Sequence, residues 1–412
     1  MNILLIISSR HVRYDIVKYD TRIDSPASEN VYDYQNAGTN IPGMLQVESV
    51  DSSNASSVRQ LLHDPAKETE KPAVACNFCP FDPPDLLGPL ADLSEDINET
   101  TLAVIFPEVK SARVQPTDCV ARQRIAIIIP YRKRYPHLHI LLHNLIPFLI
   151  RQQADATFFV IEQAMPETFN RGALLNVGFL EAEKNAKFDC YIFHDVDLIP
   201  LDDRHMYRCG DNPKHFAVAM NKNKFRLPYP GYFGGVVGFT RRQYIDINGC
   251  SNVYFGWGGE DDDLNVRAFN KGYMINRAPV AIARYDMIKH TRDKGNEVNP
   301  VRKRILSSAR QRQDLDGLNT ISYKVNSVRH ERFYVWINVS LNRTIILQNS
   351  PKYVLDAILS GGANEKPVTK PVGTFKAHVR TPQQTESVQE VNNMTTFETA
   401  REQTTIESLV KS

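Results

Sequence analysis

Three short apolar runs constrain the fold of this chain more than any other feature of its sequence. They span residues 125–129, 158–161 and 190–193. The first run is unbroken and stops at Pro130, as is typical of a strand that is buried on both faces of a sheet. Each of the three runs is therefore predicted to form a β-strand.

Two helical patterns separate the three predicted strands. Leucines at intervals of three and four residues predict an amphipathic helix over 137–153, kinked at Pro147. A second apolar pattern predicts a helix over 171–185. This alternation predicts an α/β domain in which a mostly parallel, twisted sheet carries helices on both faces.

Composition divides the chain into three regions. Residues 1–75 are polar and weakly periodic, and they are predicted to form a flexible, stem-like region. Residues 76–345 are predicted to form the folded domain, with a Pro-rich N-terminal extension that wraps its core. Residues 346–412 are rich in Thr, Gln, Glu and Ser and are predicted to be a disordered tail. The net charge is only +2 and the basic residues do not cluster, so no nucleic-acid partner is expected.

Six cysteines and five glycosylation sequons favour an oxidising compartment. Cys76 and Cys79 form one CxxC pair, but without a second pair or nearby histidines a zinc site is not expected. Disulfides are the favoured interpretation, and chance occurrence is the alternative for the sequons. The sequons begin at Asn54, Asn98, Asn338, Asn342 and Asn393.

The apolar stretch at residues 2–8 is far shorter than the roughly 20 residues of a membrane-spanning helix. It also lacks the basic residues that open a signal peptide. We expect either that an anchor lies outside this chain or that the protein reaches its compartment in another way.

Charged residues follow the predicted strands, and in sheets of this kind ligands bind at the carboxyl ends of the strands. Arg132 and Arg134 come after the first strand. Their guanidinium groups suit the oxygens of a pyrophosphate, although a solvated basic turn is the simpler alternative. The third strand runs into Asp195 and Asp197. Two carboxylates one residue apart can hold a divalent cation that neutralises a diphosphate leaving group.

Two further motifs lie later in the chain. Trp257-Gly-Gly precedes four successive carboxylates at 260–263, whose mutual repulsion can raise the pKa of one of them into the range of a general base. Trp257 offers a flat face to a sugar and the glycines permit the motion of a lid. The alternative is simply an acidic first turn of a helix. His290 can complete a metal site begun by Asp197, and a ligand at Met287 would favour a softer ion, Mn²⁺, over Mg²⁺.

Together with Phe169-Asn170-Arg171 and Tyr232-Phe233-Gly234-Gly235, these motifs give the chain a close resemblance to the animal β-1,4-galactosyltransferase family over residues 76–345. The resemblance implies a GT-A glycosyltransferase fold with Mn²⁺ as cofactor. It implies inverting transfer of galactose from UDP-α-galactose to the 4-hydroxyl of a terminal GlcNAc on a glycoconjugate. It further implies a type II membrane protein whose catalytic domain lies in the Golgi lumen.

The resemblance also implies roles for individual residues. The implied nucleotide and donor contacts are Pro130, Tyr131, Arg132, Lys133, Arg134, Phe169, Asn170, Arg171, Val196, Asp197, Tyr232, Trp257, His290, Thr291 and Arg292. The implied acceptor contacts are Gly259, Glu260, Asp261, Asp262 and Arg302. The implied Mn²⁺ ligands are Asp197, Met287 and His290. Asp261 would be the general base that takes the proton of the attacking hydroxyl. The implied disulfides are Cys79–Cys119 and Cys190–Cys209, which leaves Cys76 and Cys250 unassigned.

Two positions bear on the donor and the acceptor. In the family a tyrosine at the position of Tyr232 goes with galactose, whereas a smaller residue makes room for the N-acetyl group of UDP-GalNAc, so galactose is favoured. Segment 301–305 lacks the phenylalanine that the family uses in its pocket for the acceptor's N-acetyl group. The alternatives are a β-1,4-N-acetylgalactosaminyltransferase, a non-catalytic sugar-binding relative and, last, a calcium-binding acidic protein, for which the EF-hand spacing is missing.

Overall fold

The structure is a computed structural model that describes residues 77–91, 95–291 and 294–360. The predicted stem-like region lies outside these residues, as do Cys76, Asn54, Asn393 and Arg292.

Short and long strands alternate with helices along the described residues. The strands are β1 (Arg113–Val114), β2 (Arg124–Tyr131), β3 (Asp155–Gln163), β4 (Cys190–His194), β5 (Leu198–Pro200), β6 (Lys214–His215), β7 (Ala219–Met220), β8 (Val236–Thr240), β9 (Asn276–Arg277), β10 (Arg284–Met287), β11 (Tyr323–His330) and β12 (Val335–Leu341). The helices are α1 (Glu99–Ile105), α2 (Tyr135–Arg151), α3 (Arg171–Asn185), α4 (Arg241–Asp246), α5 (Glu260–Asn270), α6 (Arg302–Ser307), α7 (Ala309–Arg312), α8 (Arg343–Gln348) and α9 (Lys352–Ser360), with a 3-10 helix at Asn221–Asn223.

The main sheet has the strand order β11-β12-β3-β2-β4-β8-β6-β9, and β1 pairs with the first part of β3. Strands β12, β3, β2 and β4 pair in parallel. The outer pairs β11–β12 and β4–β8 are antiparallel. A second sheet has the order β5-β10-β7. The predicted fold class, an α/β domain with the mostly parallel sheet of the GT-A fold, is confirmed.

Alternate residues of β2 point into two separate hydrophobic cores. Ile125, Ile127 and Ile129 pack with the leucines of α2 on one face of the sheet. Ala126 and Ile128 pack with α3 on the other face. The strand is therefore buried on both faces, as predicted from its unbroken apolar run.

The first predicted strand does not stop at Pro130, because β2 continues to Tyr131. Pro130 lies opposite Ile161 of β3, whereas β4 pairs only with residues 125–128 of β2. At Pro130 the strand thus has a neighbour on one side only, so the missing N–H of proline removes little from the ladder.

The N-terminal extension is closed by a disulfide and fastened to the domain by a helix. Cys79 is bonded to Cys119, and a second disulfide joins Cys190 to Cys209. Both implied disulfides are confirmed, and Cys250 is a buried free thiol. Leu102 of α1 is fully buried in the core.

The folded part extends beyond the predicted boundary at residue 345, so the predicted tail begins too early. That boundary falls inside α8, and α9 follows it. Ile346 and Val354 are buried in the same core as α3, and Arg304 Nη1 donates a 3.1 Å hydrogen bond to the carbonyl of Ala357. A few apolar side chains at helical spacing hold this segment although its composition is polar.

Three sequons lie on described residues. Asn98 and Asn342 are exposed and cap the starts of α1 and α8 through their side-chain oxygens. Asn338 lies within β12, and its amide nitrogen donates a 2.7 Å hydrogen bond to Glu162 Oε2. Among the residues that the structure describes, no helix combines the length and the apolar character needed to cross a bilayer.

Candidate active site

The acidic motif that follows β4 meets the start of α3 through an arginine. Arg171 Nε donates a 2.6 Å hydrogen bond to Asp195 Oδ1, and its Nη1 lies 4.0 Å from Glu260 Oε1 at the start of α5. Burial lowers the pKa of Arg171, but the charges of Asp195 and Glu260 outweigh it and raise the pKa well above its ordinary value. Asp195 and Glu260, which are 65 residues apart in the sequence, therefore share one cation.

Asp197 and His290, two of the implied metal ligands, lie close together. Their side chains approach within 3.4 Å, from Nδ1 to Oδ2, and the N–H of Ile288 donates a 2.9 Å hydrogen bond to the carbonyl of Asp197. The antiparallel pairing of β5 with β10 sets Met287 opposite Leu198. Burial, followed by repulsion from Asp195, raises the pKa of Asp197 to about 6.

The donor atoms of this pair suit a divalent cation. A carboxylate oxygen and an imidazole nitrogen are both ligands of Mn²⁺-type ions, and bound positive charge would relieve the cost of burying the Asp197 carboxylate. Within the described residues, no group of three or more His, Cys, Asp or Glu side chains is placed to hold a metal. The predicted set has only one carboxylate and one imidazole, and its third member is the thioether of Met287.

Gly234 brings the implied general base and the implied donor-sensing tyrosine together. A Cβ atom added at Gly234 would lie 2.7 Å from Asp261 Oδ2 and 2.8 Å from the Tyr232 hydroxyl. Both groups therefore occupy the space that a side chain at 234 would need. Burial and then the Asp261 carboxylate raise the pKa of Tyr232 well above its ordinary range.

The first turn of α5 carries the other acidic groups of the site. Asp261 Oδ1 accepts a 2.9 Å hydrogen bond from the N–H of Asp262, and Asp262 Oδ1 accepts one of 2.7 Å from the hydroxyl of Tyr229. Burial and then repulsion from Asp262 raise the pKa of Asp261 to about 6. Burial and then repulsion from Asp261 raise the pKa of Glu260 to about 8. Glu260 Oε2 is buried and has no hydrogen-bond partner in the described part of the chain.

Asp263, the fourth carboxylate of the motif, points away from the site into a buried ion-pair network. Its Oδ1 accepts a 2.6 Å hydrogen bond from Arg267 Nε, and its Oδ2 is paired with Arg312. Arg312 Nε also contacts Asp316 Oδ2 at 3.0 Å, and all four side chains are at most 1% exposed. The network anchors α5 to α7 and to the segment that follows it. The interpretation of the four carboxylates as equivalent missed this network. The arginine four residues after Asp263 was the available local signal.

Trp257 lies on a glycine-flanked loop above the start of α5. Its side chain is 50% exposed, and Gly256, Gly258 and Gly259 all have positive φ angles, which favour glycine. The loop is bonded to the segment before α6 through Trp257 N to Glu297 O (2.8 Å) and Asn299 N to Trp257 O (3.0 Å).

Arg302 lies against this same loop. A Cβ at Gly258 would lie 3.0 Å from Arg302 Cδ, and Arg302 Nη1 donates a 3.0 Å hydrogen bond to the carbonyl of Asn299. The implied acceptor contact is therefore adjacent to the acidic turn, although the family's phenylalanine is missing from its segment.

Several implied nucleotide contacts are engaged with the protein itself. Arg132 donates hydrogen bonds to the carbonyls of Glu167 (3.0 Å) and Gly295 (2.7 Å) and lies 4.9 Å from the Phe169 ring centroid. Asn170 is fully buried, and its side chain caps α3 at the N–H of Ala173 and donates to the carbonyl of Asn252. The Asn170 side chain therefore holds the start of α3 in place, and its contact with a nucleotide stays a prediction.

The other implied contacts differ in their exposure. Pro130, Tyr131 and Val196 are buried, and the Tyr131 ring packs edge-on against Trp336 at 4.9 Å. Lys133 and Thr291 are exposed, and Arg134 is half-buried at the start of α2. Their contacts with a nucleotide stay predictions.

Two family models match the chain. The model for the N-terminal region of glycosyl transferase group 7 matches residues 79–210, and the model described as the N-terminal domain of galactosyltransferase matches residues 214–291. Together they cover β1 to β10, the acidic motifs and the segment of the implied metal ligands.

Curated proteins and solved structures give further similarities. β-1,4-Galactosyltransferase 4 of Mus musculus is 45% identical over 280 residues, which are 68% of this chain and 80% of the relative. The β-N-acetyl-D-glucosaminide β-1,4-N-acetylglucosaminyl-transferase of Lymnaea stagnalis is 41% identical in an alignment that covers 66% of this chain and 67% of the relative. The catalytic domain of Drosophila β1,4-galactosyltransferase 7 in complex with xylobiose aligns with a TM-score of 0.45 at 28% identity, over 53% of this chain and 94% of that one.

Proposed function

Because the chain belongs to the β-1,4-galactosyltransferase family, we propose that it transfers galactose from UDP-α-galactose to the 4-hydroxyl of a terminal GlcNAc, with inversion at the anomeric carbon. Membership in the family makes it a hexosyltransferase that forms β-1,4 linkages. One observation carries the assignment of donor and base: the Asp261 carboxylate and the Tyr232 hydroxyl both lie next to Gly234. This supports a general base and a residue that contacts the donor sugar at the same place in the site.

Asp261 is the general base of the proposed reaction. Burial and the neighbouring Asp262 raise its pKa to about 6, so it is ionised at neutral pH and basic enough to accept a proton. The acceptor oxygen forms a bond to the anomeric carbon as the bond from that carbon to the diphosphate oxygen breaks. UDP leaves as an anion and the proton of the acceptor hydroxyl stays on Asp261.

Glu260 is a hydrogen-bond partner for the acceptor in this proposal. Its pKa of about 8 keeps a proton on the side chain near neutral pH, and its buried Oε2 has no protein partner in the described part of the chain. A sugar hydroxyl would satisfy that oxygen, which otherwise carries the cost of an unpaired buried polar group.

Asp197, Met287 and His290 would hold Mn²⁺. When bound, the ion supplies positive charge that neutralises the departing diphosphate. Arg171 keeps Asp195 and Glu260 in place beside this position, and its charge favours a negatively charged donor in the same cleft.

Tyr232 supports galactose as the donor sugar. Its hydroxyl and the Asp261 carboxylate already fill the space around Gly234, so an N-acetyl group on the donor would compete with them for room. A second candidate is an N-acetylhexosamine donor, UDP-GalNAc or UDP-GlcNAc. The name of the Lymnaea stagnalis relative, a β-1,4-N-acetylglucosaminyl-transferase, favours it.

Transfer assays with every pair of three donors and two acceptors test the proposal. The protein is assayed with UDP-galactose, UDP-GalNAc and UDP-GlcNAc against a GlcNAc glycoside and a xyloside, with Mn²⁺ or with a chelator. We expect the highest kcat/KM for UDP-galactose with GlcNAc, a β-1,4 product by NMR, and loss of transfer with the chelator. A higher kcat/KM for an N-acetylated donor would replace the donor assignment, and absence of transfer in all pairs would favour a non-catalytic sugar-binding relative.

The Golgi lumen is the proposed site of action. Support comes from the disulfides Cys79–Cys119 and Cys190–Cys209, which need an oxidising compartment, and from the exposed sequons at Asn98 and Asn342. Immunofluorescence of the full chain beside a Golgi marker tests it, and a cytosolic signal would contradict it.

A further inference from the structure

A buried histidine and an arginine face each other across two neighbouring strands. β6 and β9 pair in parallel with His215 opposite Arg277. Arg277 Nε donates a 3.2 Å hydrogen bond to His215 Nδ1, so the ring hydrogen of the neutral histidine is on Nε2. That nitrogen donates a 3.0 Å hydrogen bond to the carbonyl of Gly234. Burial, and then the charge of Arg277, lower the pKa of His215 to about 3, which keeps the ring neutral.

The same arginine holds the chain just before Gly234. Arg277 Nη2 donates to the carbonyl of Tyr232 at 2.9 Å and to that of Pro230 at 3.1 Å. Segment 230–234 forms no strand or helix. Arg277 thus holds the carbonyl oxygens of Pro230 and Tyr232, and His215, which Arg277 orients, holds that of Gly234.

We call Arg277 and His215 the clamp. Both contact Tyr232, the residue to which the proposed function assigns the choice of donor. The rings of His215 and Tyr232 pack edge-on with centroids 5.5 Å apart. The Tyr232 hydroxyl then lies in the space over Gly234 beside Asp261. The clamp therefore fixes both the main chain and the ring of Tyr232, although neither clamp residue reaches that hydroxyl.

We propose that Arg277 is a positioning residue that sets donor selectivity, because through His215 and the carbonyls of segment 230–234 it holds Tyr232 where the tyrosine limits the space for the donor's 2-substituent. The inference rests on the proposed function only in taking Tyr232 as the residue that meets the donor sugar. A lysine at 277 would keep the charge, but it has no planar fork and cannot serve the three acceptors together.

The test compares donor preference in matched variants. Arg277→Gln and Arg277→Lys are assayed for the ratio of kcat/KM with UDP-galactose to that with UDP-GalNAc, and each is checked for its melting temperature and its affinity for UDP. Arg241→Gln is the control, since Arg241 is 56% exposed and pairs with Glu183 at 2.6 Å away from this segment.

We expect both Arg277 variants to lower the donor ratio by about tenfold, the lower end of what a change in pocket room gives, with UDP affinity within about twofold of the wild type. The control should leave the ratio unchanged. In a Tyr232→Leu background the Arg277 substitutions should have no further effect on the ratio, because the pair then no longer couples.

Three results would overturn the inference. One is an unchanged ratio in a folded Arg277→Gln protein, and another is a wild-type ratio in Arg277→Lys. The third is an equal effect of Arg277→Gln in the wild-type and the Tyr232→Leu backgrounds. If the wild type itself prefers UDP-GalNAc, the galactose assignment fails. The comparison of Arg277→Gln in the wild-type and Tyr232→Leu backgrounds still decides whether positions 277 and 232 are coupled.

Discussion

Replacing Gly234 by alanine should damage catalysis far more than stability. The backbone of Gly234 does not have a positive φ angle, so alanine adds no backbone strain there. The added Cβ would lie 2.7 Å from Asp261 Oδ2 and 2.8 Å from the Tyr232 hydroxyl, whereas ordinary contacts begin at 3.4 Å. Tyr232 Cζ would also lie within 2.9 Å. All three clashing atoms are at the far ends of side chains, so they can retreat without unfolding the domain.

The atoms that must retreat are the ones that the proposed reaction needs. A misplacement of reacting groups by about 1 Å can cost roughly 100-fold in rate. We therefore expect kcat for transfer from UDP-galactose to fall by about 10- to 100-fold in Gly234→Ala. The loss in free energy of unfolding should stay below about 2 kcal/mol, within the range of modest overpacking. Steady-state kinetics and urea unfolding measure the two quantities.

Gly231→Ala is the matched control in the same segment. Its Cβ would have Asn265 Nδ2 at 3.5 Å and Tyr229 Cδ2 at 4.0 Å, which are ordinary contacts. This variant should keep kcat within about twofold of the wild type, since surface changes without a clash have small effects. Wild-type kcat in a folded Gly234→Ala protein, or equal losses of activity in both glycine variants, would contradict the expected effect of the clash.

The remaining predictions concern the base, its pH dependence, the buried ion pairs and the sequons. Asp261→Asn should lower transfer by about 100-fold or more, the contribution of a general base, while calorimetry shows nearly unchanged binding of Mn²⁺ with UDP; parallel loss of both would make the residue structural. At subsaturating substrate, kcat/KM should fall as pH drops below about 6, because burial raises the pKa of Asp261 in the free protein to about 6 and only the carboxylate accepts a proton; a flat acid limb would contradict this. Asp263→Asn should cost about 3–5 kcal/mol in urea unfolding because it leaves buried guanidinium charge unpaired, and a loss under about 1 kcal/mol would contradict the network's role. In protein secreted from animal cells, peptide mass spectrometry should find glycans at Asn98 and Asn342 but not at Asn338, whose amide is bonded within a strand.

Local sequence patterns were sufficient for the elements that frame the site. The predicted helix over 171–185 is α3 itself, and the predicted strands at 158–161 and 190–193 lie within β3 and β4. Such patterns work here because buried strands and amphipathic helices repeat within a few residues. α2 begins two residues before its predicted start, since proline is tolerated in a first helical turn.

Features of the site that depend on contacts between distant residues could not be predicted from the sequence. Glu260 and Asp263 belong to the same run of carboxylates, yet only Asp263 turns into the core, where it meets Arg312 from 49 residues away. The clamp formed by Arg277 and His215 depends on the pairing of β9 with β6, which are both two residues long and carry no periodic signal. The amide nitrogen of Asn170 likewise donates to the distant carbonyl of Asn252.

The position of Asp263 separates the anchoring of α5 from the contacts that its first turn makes at the site. Asp263 holds α5 in place through its ion pairs with Arg267 and Arg312, whereas Glu260, Asp261 and Asp262 take no part in these ion pairs. In the proposed function, a substitution at Glu260 or Asp262 would therefore change which sugar is accepted without loosening the helix that carries Asp261. Acceptor preference would then diverge by single substitutions while the chemical step is retained.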